Sequence, residues 1–396
     1  MKTMFQLRSL FITISVSLGF SFAAPIYAQP LIPAAPELAA TAWLLIDAKT
    51  GAVLAEHNAD EQLPPASLTK MMTAYIVSEE ILAGRLSEED QTVVSENAWR
   101  KGGAGSGGST MFLPPNESAK VIDLMRGVII QSGNDASIAL AEHIAGSEEV
   151  FADVMNQQAQ LLGMNDSYFK NATGLPDEGH FTTARDLATL AKAKINHHPD
   201  HYKIHAEKFF EYNGIRQRNR NQLLWQDASI DGLKTGHTSE AGYCLVASGE
   251  RSGMRLISVV MGARNEKARS AESQKLLSWG FRYYVTHKLY SAGQVLQTER
   301  LWKANQNTVD LGIAEDMYMT IPRGAEQLLD ASLSFGSVLE APLSLGEKVG
   351  SVEVTYQGDP ILDVPLVVTS EVERAGFFSR LWDAILLFFA GLFGKS

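Results

Sequence analysis

Ser67-Leu68-Thr69-Lys70 sets a hydroxyl and an amine three residues apart. Side chains at i and i+3 are neighbours on a helical surface, and this stretch reads as a helix start. Pro64-Pro65-Ala66 precedes it, and Met71, Met72, Tyr75, Ile76, Ile81 and Leu82 supply an apolar side. An uncharged lysine amine one turn from a serine oxygen can take its proton, giving a nucleophile with its base attached. The helix N-terminus adds partial positive charge where an oxyanion would form. The pattern alone is weak: Ser167-Tyr168-Phe169-Lys170 also fits it, but runs into Asn171-Ala172-Thr173-Gly174, a turn.

Two further groups follow Ser67 in order. Ser132-Gly133-Asn134 lies between helical runs at 119–131 and 136–144, and Lys234-Thr235-Gly236 opens a strand-rich stretch. Each has a decoy. Lys49-Thr50-Gly51 precedes the serine and joins extended runs at 42–46 and 52–56, which makes it a hairpin turn. Ser95-Glu96-Asn97 ends a short strand-like run at 92–94 and reads as structural. A free lysine titrates near roughly 10.4, so a basic Lys70 needs burial or a like charge beside it. Lys234 supplies that second cation if the three groups meet in one cleft.

The ordered triple resembles the penicilloyl serine transferases, the class of penicillin-binding proteins and class A β-lactamases. Gln131-Ser132-Gly133-Asn134-Asp135, Gly214-Ile215-Arg216-Gln217, Asn219-Arg220-Asn221 and the run from Asp231 to Thr238 narrow the likeness to the low-molecular-mass D-alanyl-D-alanine carboxypeptidases. That resemblance extends from about Ala39 to the C-terminus. It implies attack by Ser67 on the carbonyl between two D-alanines of a peptidoglycan stem peptide, with Lys70 as base. Ser132 would relay a proton to the leaving amine, and Asn134 would hold Lys70 or the substrate backbone. Lys234 and Thr235 would hold the terminal carboxylate, along a strand through Gly236 and His237 that pairs with the extended substrate. The backbone N–H groups of Ser67 and His237 would form the oxyanion hole. Arg220 and Arg269 are further candidates for the carboxylate; a structural ion pair is the alternative for either. The Gly/Ser-rich stretch 102–110 reads as a mobile loop that the family places beside the site.

Class A β-lactamases need a Glu-x-x-Leu-Asn segment between the second and third groups, and none occurs from Asn134 to Lys234. β-Lactams are therefore expected as slow, trapped pseudo-substrates. DD-endopeptidase action or weak β-lactamase action on the same site is the alternative. No cofactor is implied. His197, His198, His201 and His205 cluster without an HExxH spacing and read as a solvated face, so no metal is expected.

The ends of the chain carry addresses. Lys2 and Arg8, an apolar run at 10–22 and small residues to Ala28 make a secretory signal over 1–28. Near the other end Phe377/Phe378, Leu381/Trp382, Ile385, Phe388/Phe389 and Leu392/Phe393 recur in helical pairs. Arg380 and Asp383 leave too short a charge-free run to cross a bilayer, so 371–396 is expected to lie in a membrane surface as an amphipathic helix. This places the enzyme, exported, on the periplasmic face of the inner membrane of a bacterium.

The formal charge is −11, and removal of the signal makes it −13. An acidic chain without basic clusters argues against nucleic acid as a partner. The single cysteine, Cys244, excludes an intrachain disulfide and sits in a strand pattern as a core residue. The expected fold class is α/β in the broad sense (α+β): a β-lactamase/transpeptidase-like antiparallel sheet with surrounding helices over 39–290. A small all-β sandwich over 291–370, with short alternating runs split by Gly and Pro, precedes the C-terminal helix.

Overall fold

The structure, a computed structural model, describes residues 31–336 and 338–393, with side chains of the last helix described as far as Phe389. The export signal expected over 1–28 lies outside the described residues.

Five antiparallel strands form the central sheet in the order Val53–His57, Ala42–Asp47, Met254–Ala263, Gly242–Arg251, Ile230–Thr238. Strands from both ends of the first unit thus share one sheet. Successive side chains point to opposite faces, and both faces are covered, which explains apolar runs such as Leu44-Leu45-Ile46 and Leu245-Val246-Ala247. Leu44, Ile46, Val246 and Val259 pack on one face against Met72, Ile76, Leu187 and Leu190. These belong to helices Lys70–Leu82 and Ala184–His197. Leu45, Leu245, Leu256 and Val260 pack on the other against Leu276, Leu277 and Phe281 of helix Glu266–Tyr283. Cys244 is buried, and burial pushes its thiol up to about 11.

A second helical lobe holds Leu124, Val128, Ile138 and Leu140 in a core of its own. The run expected as one helix at 119–131 is three pieces: strand Ser118–Lys120, helix Val121–Arg126 and a wider turn Gly127–Gln131. Pairing of the strand with Gln91–Val93 takes its first residues out of the helix. Helix Asn134–Ala145 follows. The helix start expected at Ser67 is likewise a tighter 3₁₀ turn, Ala66–Thr69, that feeds helix Lys70–Leu82.

The decoys have structural duties. The Lys49-Thr50-Gly51 turn docks on the second unit, with Thr50 Oγ1 2.5 Å from Thr320 Oγ1. Ser95 Oγ caps helix Glu96–Gly102 by accepting from Ala98 N at 2.9 Å. Ser167 Oγ donates to Asp186 Oδ2 at 2.6 Å. The solvated face expected of the four histidines is corrected: His198 and His205 are buried at 5% and 1% exposure. His205 Nδ1 lies 3.0 Å from Leu233 O.

In the second unit Tyr284–Tyr290 pairs with Met317–Pro322. This first strand starts before the change in pattern near Ser291. A six-stranded sheet completes the unit, and Val309, Leu311, Ile321, Val352 and Leu366 lie in the core between them. Helix Phe377–Phe393 ends the described chain. Its Asp383 Oδ2 accepts from Lys303 N at 2.7 Å, while Phe378 and Trp382 are 84% and 61% exposed. Among the described residues no helix is long and apolar enough to cross a membrane.

Candidate active site

The three groups converge where the first turn of the Ser67 region meets the edge strand Ile230–Thr238. Lys70 is buried, and its Nζ lies 3.2 Å from Ser67 Oγ, 2.7 Å from Asn134 Oδ1 and 2.5 Å from Thr173 O. A neutral amine donates two hydrogens and accepts one. Asn134 Oδ1 and the Thr173 carbonyl can only accept, so for a neutral amine the Ser67 hydroxyl is the group left to donate to the nitrogen lone pair. Lys234 Nζ donates to Ser132 Oγ at 2.8 Å and to Thr235 O at 3.1 Å. Ser67 and Ser132 line one cavity of about 180 Å³ with Thr235, Gly236, His237 and Arg220.

Backbone geometry aims these groups. Ala66 and Ser132 hold φ values of 48° and 62°, a left-handed conformation that costs non-glycine residues about 1–3 kcal/mol and persists only where surroundings enforce it. Gly174 (φ 79°) permits the approach of segment 171–174 to the Ser67 turn, since a Cβ there would sit 1.8 Å from Ala66 O. That segment is stitched to helix Lys70–Leu82 by Thr73 Oγ1, which donates to Ala172 O at 2.8 Å. Asn221 Nδ2 donates to Gly232 O at 2.9 Å, which with His205 holds the start of the Lys234 strand. Among the described residues this strand is the last in the sheet, so its outer edge pairs with no further strand.

Burial brings Lys70 down to about 7; Asp135 opposes this, Arg220 adds to it, and Glu148 opposes it. Of the two causes expected, burial or a like charge, burial leads and Arg220 adds to it. Repulsion between the two lysines is mutual, and burial first, then Lys70, Arg220 and Arg269 hold Lys234 well below its ordinary value. Arg269 is committed within the protein: Nη1 donates to Gly236 O at 3.2 Å and Nη2 pairs with Glu266 at 3.0 Å. Its Nε is buried without a hydrogen-bond partner among the described residues. Arg220 Nε donates to Gln131 O at 3.1 Å, and the residue faces the cleft. His237 is exposed, with its ring 3.9 Å from that of Tyr243.

All ten residues singled out from the sequence lie in or against this cleft. Thr173 escaped notice because its contribution is a backbone carbonyl, which leaves no side-chain signature. Among the described residues no group of three or more His, Cys, Asp or Glu side chains is placed to hold a metal ion.

Residues 29–265 match the family model described as D-alanyl-D-alanine carboxypeptidase, and residues 284–374 match that of the penicillin-binding protein 5 C-terminal domain. The chain is 46% identical over 379 residues to the D-alanyl-D-alanine carboxypeptidase DacC of Escherichia coli (strain K12), covering 95% of each. Penicillin binding protein 5 from Haemophilus influenzae superposes with a TM-score of 0.81 at 41% identity, over 86% of this chain and all of that one. Penicillin-binding protein D2 from Listeria monocytogenes, in its ampicillin-bound form, gives 0.54 at 32% identity, over 62% of this chain and 98% of that one. Similarity that spans both units at these identities settles descent, and the chain belongs to the family of D-alanyl-D-alanine carboxypeptidases.

Proposed function

We propose that this protein removes the terminal D-alanine from peptidoglycan stem peptides as a serine hydrolase, and that β-lactams acylate the same serine. The single observation that carries the reading is Lys70: a buried amine, brought to about 7, next to the half-exposed hydroxyl of Ser67. Lys70 takes the Ser67 proton as Oγ bonds to the penultimate D-alanine carbonyl carbon. The oxyanion is held by the backbone N–H groups of Ser67 and His237. The C–N bond then breaks, and Ser132, bridged to Lys234, relays to the departing amine of D-alanine the proton that Lys70 took, so that Lys70 is neutral again. Water activated by Lys70 hydrolyses the ester and restores the serine.

The arriving carboxylate sits by Lys234 and Thr235 and favours the charged form of Lys234, so the pair shares one proton and Lys70 stays neutral. Asn134 fixes Lys70 through its Oδ1, and Gly236 and His237 pair with the peptide backbone. Arg220 draws the carboxylate at the cleft mouth. Arg269 acts through Gly236, whose carbonyl it holds.

The chain is an exported, periplasmic protein in this reading, with 1–28 as the leader and 39–290 as the catalytic unit. The all-β unit 291–370 is a spacer, and 371–396 lies on the inner membrane surface through its exposed Phe378, Trp382 and Phe388. Release of D-alanine from a diacetyl-Lys-D-Ala-D-Ala peptide, blocked by penicillin, tests the activity; no release overturns it. Deletion of Phe377–Ser396 tests the anchor, and unchanged membrane fractionation would defeat it.

A further inference from the structure

Asp135 follows the Ser132-Gly133-Asn134 triplet and is fully buried, at 0% exposure. Its carboxylate accepts from Thr110 Oγ1 at 2.7 Å, Met111 N at 2.8 Å, Leu113 N at 3.1 Å and Ala136 N at 2.9 Å. Three of those donors come from the segment where the Gly/Ser-rich stretch 102–110 ends. The other end of that stretch rests on the same place: a Cβ on Gly102 would lie 2.2 Å from Asp135 N. Between them Asn134 N donates to Ser109 O at 2.8 Å, and Ser109 lines the cleft. Asn134 in turn holds Lys70 Nζ at 2.7 Å through Oδ1. A continuous chain of hydrogen bonds therefore runs from segment 109–113 through Asp135 and its neighbour Asn134 to the base.

We propose that Asp135 is a positioning residue for Lys70: it ties segment 109–113 to the Ser132–Asn134 turn, so that the Asn134 amide stays on the lysine amine. It touches neither substrate nor nucleophile. A buried carboxylate in this place also favours the charged form of the nearby amine, so Asp135 limits how neutral Lys70 becomes. The charges that act on Lys70 are Asp135 and Glu148 in one direction and Arg220 in the other; Lys234 shares the pocket, and His180 is held neutral, at about 4, chiefly by burial. This inference rests on the proposed role of Lys70 as general base.

The test is the pH profile of acylation by fluorescent penicillin in the full-length protein. In Asp135→Asn one carboxylate oxygen becomes an NH₂ that faces N–H donors, and the negative charge is gone. The plateau rate should fall at least about tenfold, the ordinary weight of a displaced acid–base group. The acid limb should move to lower pH by roughly half a unit or more, because the charged amine has lost a nearby carboxylate. Thr110→Val removes one donor and leaves the charge, so its plateau should fall several-fold with the limb in place. A limb unmoved in Asp135→Asn, or moved as far in Thr110→Val, overturns the proposal. If Asp135→Asn does not fold, an unchanged plateau in Thr110→Val overturns it. Failure of the base assignment itself would show differently, as a wild-type profile without an acid limb.

Discussion

Two of this molecule's buried lysines lie in or against helix Lys70–Leu82, and each is 1% exposed, hydrogen-bonded to a serine and brought by burial to about 7. Lys70 reaches Ser67 at 3.2 Å, and Lys194 reaches Ser78 at 2.5 Å. Only the first pair lies at a place where chemistry can happen. Ser67 borders the cleft and sits in the opening turn, where backbone N–H groups lack helical partners. Ser78 is fully buried in the middle of helix Lys70–Leu82, where the N–H groups are used by the turn before. Its own hydroxyl is spent on Ala74 O at 2.9 Å and approached by His201 Nδ1 at 2.9 Å. A depressed lysine is thus a consequence of burial in both places. In the proposed mechanism, access, an oxyanion site and a second cation across the cleft separate a reactive pair from an inert one.

The widest gap between the pairs should appear on removal of the hydroxyls. Ser67→Ala should abolish labelling by fluorescent penicillin and lower D-alanine release by about 10⁴-fold or more, as loss of a covalent nucleophile does. Ser78→Ala should label like the wild type, and a gel of labelled variants separates the two. Next come the amines. Lys70→Met should cost about 10²–10⁴ in acylation rate, the range for a lost general base, while Lys194→Met should change it less than about twofold. The pH dependence sharpens this further. Lys70 must be neutral, so acylation should rise about tenfold per unit below a limb near 7 and level above it. The limb should persist in Lys194→Met; its loss there would mean that the two amines had been assigned to the wrong roles.

The difference between the pairs also explains what could be read without coordinates. Ser67 and Lys70 are neighbours in sequence, so a helical period suffices to join them. Ser78 and Lys194 come from separate helices, and nothing in local spacing links them. The central sheet was legible from the strand pattern around Cys244 and the strand-rich stretch that Lys234-Thr235-Gly236 opens, and the hairpin at Lys49-Thr50-Gly51 because its turn residues are diagnostic. The breakdown of 119–131 into three pieces was not legible, since strand pairing with Gln91–Val93 is a tertiary choice. Asp135 stood in a motif that drew attention to Ser132 and Asn134, and its four donors come from backbone and a threonine at 110–113 and 136. The buried histidines went wrong for a related reason: His205 is held by Leu233 O, a partner that no pattern of histidines announces.

The smallest effect concerns stability, and it treats the two lysines alike. Each is held in the fold near 7 and is released to the ordinary value, near roughly 10.4, on unfolding. Between those limits the unfolded chain binds more protons, so stability should rise with pH, by up to about 1.4 kcal/mol per unit for each lysine. Below 7 both states are protonated at these positions and the contribution is flat. Lys194→Met removes one of these titrations, to which depressed Lys234 adds another, without touching the cleft. Its melting temperature should therefore climb less steeply than the wild type's between pH 7 and 9, by an amount that Lys70→Met reproduces. Equal slopes in wild type and Lys194→Met would mean that the Lys194 amine keeps its proton in the fold. Shared burial would then no longer account for both lysines, and the reactivity of Lys70 would have to come from its charged neighbours instead.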